Sequence, residues 1–68
     1  MNEETFSISI RKYLKMSGVN SQREIEQAVA KAIASGVLLG NETFPVKMTL
    51  EIPSLQLNVK FDGDIKLE

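Results

Sequence analysis

The hydrophobic period of this chain changes once, at Phe44, and that change limits the folds open to it. Before Phe44 apolar residues recur at helical spacing; after it they alternate with polar ones. A helix presents one stripe and a half-buried strand presents every second residue. A chain with helices first and strands afterwards, and no return to helix, is α+β rather than α/β.

In the first half, Phe6, Ile10, Tyr13 and Leu14 fall on one helical face. Asn2 is placed to cap it, and Glu3 and Glu4 follow in the first turn, where the helix dipole favours anions. Met1 and Phe6 have the spacing of a hydrophobic staple. Gly18, between Ser17 and Val19, reads as a helix stop. Ser21 and Glu24 then have the spacing of a capping box, with Ile25, Ala28, Val29, Ala32 and Ile33 as a second stripe. Ser35-Gly36-Val37 repeats the first stop. These signals predict two helices, over 2–17 and 21–35.

In the second half, Val46, Met48, Leu50 and Ile52 alternate with polar residues, and so do Leu55, Leu57, Val59 and Phe61. A tight turn at Pro53-Ser54 would pair Ile52 with Leu55 and Val46 with Phe61, putting every apolar residue on one face. Asp62-Gly63 reads as a further turn, with residues 62 to 64 as its loop. The prediction is a three-stranded meander, with strands near 46–52, 55–61 and 65–67. Such a sheet needs cover on its apolar face. The expected architecture is therefore a single two-layer α+β domain over 1–68, ordered ααβββ, with the helices on the sheet. The role of Val37–Asn41 stays open between helix extension, short strand and linker.

Composition narrows the function classes. The 68 residues include neither His nor Cys, so disulfides are closed to this short chain. The commonest general base and the commonest soft nucleophile are missing too, which argues against an enzyme. No cofactor is expected. Asp62-Gly63-Asp64 offers two carboxylates but not the further ligands of a calcium loop, and a turn explains it without metal. The formal net charge of -1 argues against bulk attraction to a polyanion. No apolar run approaches the ~20 residues of a membrane span, and no basic n-region opens the chain. A cytoplasmic protein is expected.

Two partner readings remain. Helices joined near Gly18 suggest a helix-turn-helix, with Gln22, Arg23, Gln27 and Lys31 towards a nucleic-acid groove. Glu24 and Glu26 would then lie beside phosphates, so nucleic acid is the secondary expectation. The primary one is a non-enzymatic interaction module, with an unknown protein partner or as a homodimer. On the register above, Lys47 opposes Lys60 and Lys60 opposes Lys66, a row that would suit an anionic partner. The long apolar strand from Val46 to Ile52, guarded by Pro45, Lys47 and Pro53, is an edge that favours a monomer or a closed dimer over open-ended assembly. Ile8 lies opposite the first helical stripe, among Glu4, Arg11, Lys12 and Lys15.

Taken as strings, Met1-Asn2-Glu3-Glu4, Ser9-Ile10-Arg11-Lys12, Ser21-Gln22-Arg23-Glu24-Ile25-Glu26, Pro45-Val46-Lys47-Met48-Thr49-Leu50 and the Asp62-Gly63 close make the chain resemble a family of short uncharacterised bacterial proteins, a domain of unknown function. The resemblance runs nearly the full length. It implies a bacterial origin and carries over no activity, cofactor or functional residue.

Overall fold

A computed structural model describes residues 1–68 as two compact units, Met1–Val37 and Leu38–Glu68. The first is one helix, α1, Glu3–Ala34. The second is an antiparallel hairpin of β1, Thr43–Ile52, and β2, Leu57–Lys66, joined through a short 3-10 turn at Pro53–Leu55. The fold class is α+β, but the order is αββ, not ααβββ.

Asn2 caps α1 as its sequence predicts: its side-chain oxygen accepts a hydrogen bond from the Thr5 backbone N–H at 3.0 Å. The staple does not close, since Met1 is 95% exposed. The larger correction is at Gly18. Helix continues through Ser17, Gly18, Val19 and Asn20 without a break. A glycine in a helix interior costs only about 1 kcal/mol relative to alanine. Helical residues on both sides offset that, and no proline lies between them. Ser17 Oγ donates back to the Leu14 carbonyl at 3.2 Å, a contact made inside helices. Ser21 is mid-helix and caps nothing, so the capping box and the helix-turn-helix lose their premise together.

The second stop is a true one. Gly36 has φ +82°, where a side chain would be strained. Its N–H donates to the Ile33 carbonyl at 3.1 Å, and the Val37 N–H donates to the Ala32 carbonyl at 2.9 Å. These two bonds form a Schellman close.

In the hairpin, Ile52 pairs with Leu57, Leu50 with Val59, Met48 with Phe61, Val46 with Gly63 and Phe44 with Ile65. The expected face is right and the expected register is off by two residues. A two-residue hairpin loop needs positive φ at its first central position, which proline cannot adopt. The chain instead uses Pro53 to Gln56: Pro53 starts the 3-10 turn, Gln56 takes φ +53°, and the Gln56 N–H donates to the Pro53 carbonyl at 3.1 Å. A shift of two keeps each side chain on its face. Leu55, assigned to a strand by its spacing, is left in the loop at 68% exposed.

The third strand is absent as a separate element. Asp62-Gly63 forms no turn; β2 runs straight through it, and ten pairs extend to Thr43 opposite Lys66. β1 correspondingly starts before Val46 and includes Pro45, an edge-strand residue by its missing N–H. The Leu67 N–H donates to the Glu42 carbonyl at 2.9 Å and ties the open end.

Candidate functional site

The register splits the hairpin into two chemically distinct faces. Phe44, Val46, Met48, Leu50, Ile52, Leu57, Val59, Phe61 and Ile65 share one face with Gly63. The other carries Thr43, Pro45, Lys47, Thr49, Glu51, Asn58, Lys60, Asp62, Asp64 and Lys66. None of the apolar residues is buried, and Met48 and Phe61, a directly opposed pair, are about half exposed at 50% and 57%.

The lysine row does not form as expected. Lys47 opposes Asp62, Lys60 opposes Thr49 and Lys66 opposes Thr43. Lys47 and Lys60 are diagonal neighbours, and Lys66 sits at the far end of the ladder. Moving the register by two replaces a like-charge opposition with a Lys–Asp one, the arrangement that stabilises a sheet. At the closed end Asn58 Nδ2 donates to Glu51 Oε2 at 3.4 Å. Asp62 and Asp64 belong to a continuous strand, and no group of three or more potential metal-ligating side chains is assembled anywhere.

The segment left open by the sequence proves to be a loop built on Glu42. Its carboxylate accepts from the backbone N–H groups of Leu39 at 2.8 Å, Gly40 at 3.0 Å and Asn41 at 3.2 Å. The bonds from Leu39 and Gly40 chiefly hold the carboxyl below its ordinary range. Glu42 thus serves its own loop.

On α1, Phe6, Ile10 and Leu14 form one side, at about 100° per residue. Ile8, Met16 and Val19 lie about 120–180° round from its centre by the same rule. All six are exposed, from 42% at Ile10 to 57% at Leu14. Lys12 and Lys15 border the second set, forming shallow hollows with Met16 and Val19 and with Ile8. Spacing shows the first side in full; of the second it singles out only Ile8. Val19 escapes it because a helix ending at Gly18 cuts that side short. No helix is long and apolar enough to cross a membrane.

The pattern of a family of unknown function, DUF6494, matches residues 1–68. The chain belongs to that family. No curated protein and no solved structure matches it. Membership in this family brings no activity with it.

Proposed function

We propose that this chain is a non-enzymatic protein-interaction module. The observation that supports it is an imbalance of surfaces. The helix carries large apolar residues on two well-separated sides, and the hairpin has one apolar face. One hairpin face can cover one side of one helix. At least one apolar side of α1 then needs cover from another chain, because exposed apolar area of this kind marks an interaction surface. Exposing it to water costs roughly 25 cal/mol per Å² of apolar area. The lack of His and Cys supports a binding role over catalysis, and the lack of Cys suits a cytoplasmic setting.

The test is a photo-crosslinking residue placed at Val19 or Met16 in cells that make the protein naturally. A defined protein adduct at these positions, with none at the polar-face position Thr49, is the expected result. Equal, diffuse labelling at all three positions overturns the proposal.

A further inference from the structure

We infer that the interaction module pairs with a second copy of itself through the outer edge of β2, making one four-stranded sheet in the order β1-β2-β2′-β1′. This deepens the interaction-module reading and rests on it. A two-stranded sheet is all edge, and two strands alone are marginal in water; further strands, or a helix packed on the apolar face, are needed, and only further strands satisfy the open edges. The two edges are not equivalent. β1 carries Pro45, which has no N–H for a further ladder. β2 has no proline and is exposed from Asn58 to Asp64, so its outer backbone is the one open to a partner strand.

The side chains of β2 select a second β2, antiparallel, with one register. Pairing residue i with a residue of the other parity would put apolar side chains opposite polar ones, which excludes half the registers. Among the rest, a two-fold axis at Lys60 opposes two lysines. An axis at Asp62 opposes two aspartates, and an axis at Gly63 opposes Lys60 with Lys66 and Asp62 with Asp64. An axis at Asp64 opposes the two copies of Asp64. An axis at Val59 shortens the ladder to Leu57–Phe61, and axes at Leu57, Asn58, Ile65 or Lys66 shorten it further. With the axis at Phe61, Lys60 of each copy meets Asp62 of the other, twice by symmetry. Asn58 meets Asp64, an amide able to donate to a carboxylate. Leu57 meets Ile65, Val59 meets Gly63, and Phe61 meets Phe61 on the apolar side. This register extends over nine residues, Leu57 to Ile65, without opposing like charges. A two-fold axis normal to the sheet keeps both apolar faces on the same side and closes the assembly, leaving the Pro45-bearing strands outermost.

The experiment uses the full chain, whose lack of native Cys makes an introduced thiol unique. Sedimentation velocity at two concentrations should show a dimer. Phe61→Cys should crosslink to itself on mild oxidation, since opposed strand residues lie within disulfide reach. Val59→Cys alone should not, but a mixture of Val59→Cys and Gly63→Cys chains should give the mixed dimer. Lys60→Glu, on a polar face where it opposes Thr49 in its own chain, should weaken the dimer about ten-fold or more by placing two acids against two acids. Added salt should narrow that difference. Circular dichroism checks that each variant is folded. A folded monomer at both concentrations overturns the inference. So does a dimer in which the Phe61→Cys and Val59→Cys chains self-crosslink equally, or in which Lys60→Glu has no effect. If the chain is monomeric yet Val19 captures a different protein in cells, the self-pairing fails and the interaction module stands. If the chain is monomeric and the cellular labelling is diffuse, both fail.

Discussion

The tripeptide Ser-Gly-Val occurs twice in the first half of the chain and has two outcomes. At Ser17-Gly18-Val19 the helix passes through; at Ser35-Gly36-Val37 it stops. The serines behave alike, since Ser17 and Ser35 each donate to the carbonyl three residues back, at 3.2 Å. The glycines differ. Gly36 adopts φ +82° and Gly18 is an ordinary helical residue. The neighbours on the C-terminal side of each tripeptide account for the difference. Asn20 to Ile33 is a helix-compatible run rich in Ala, Glu and Gln, and propagation through it outweighs one glycine. Leu38 to Asn41 brings a second glycine and an Asn, and then the strand pattern begins. Glycine permits a stop; the residues after it decide whether one happens.

The contrast is most easily broken with proline. Val19→Pro should cost about 3 kcal/mol or more, because it removes a hydrogen bond inside a helix and clashes with the preceding turn. Val37→Pro removes only the single bond to Ala32, about 0.5–1.5 kcal/mol. Circular dichroism and thermal unfolding compare them, and equal losses contradict a continuous helix. Alanine at the two glycines should act with opposite sign. Gly36→Ala costs about 1–2 kcal/mol at its left-handed position. Gly18→Ala gains up to about 1 kcal/mol in the helix interior. If both variants lose stability, Gly18 is not ordinary helix.

The two helix-start signals sharpen the same point. Asn2→Ala should cost about 0.5–2 kcal/mol and lower amide protection in the first turn. Ser21→Ala should change stability by no more than about 0.5 kcal/mol, in the favourable direction, since alanine is the better helix former. A cap-sized loss at Ser21 would restore the two-helix reading.

The smallest effect concerns the loop after the true stop. Because the folded Glu42 carboxyl lies below its ordinary range, its contribution is complete above the unfolded value and disappears as pH falls through the folded one. The Leu39, Gly40 and Asn41 amide resonances should therefore move together on acidification, at a pH below the usual glutamate range. Glu42→Gln should abolish that joint step.

Much of this is legible in the residues taken in order. The Asn2 cap follows from an Asn before two acids. The helix end at Ser35-Gly36 follows from a glycine after the last periodic residue. The alternation from Phe44 assigns each strand side chain to its face, and a two-residue error in register leaves those faces intact because the strand period is two. The departures share one cause: residues suited to a turn do not compel one. Gly18 reads as a stop and Asp62-Gly63 as a hairpin loop, yet both lie inside regular elements. At Pro53 the sequence already holds the correction, since a fixed negative φ is incompatible with the tightest hairpin turns. The lysine row depends on that same turn, which is why Lys47 faces Asp62 and not Lys60.

By itself, then, the sequence determined periodicity: one helical half, one strand half, the boundary between them and the apolar face of each strand. These are properties of residues a few places apart, fixed by the repeat of the backbone. Only the tertiary structure decided how many elements there are and which strand residues meet. Whether helix crosses Gly18 depends on the balance of propagation on both sides, and cross-strand partners depend on the dihedral angles of four loop residues, Pro53 to Gln56. Residues such as Gly18 and Gly63 fit turn and regular element alike; helix propagation selects at Gly18 and cross-strand pairing selects at Gly63.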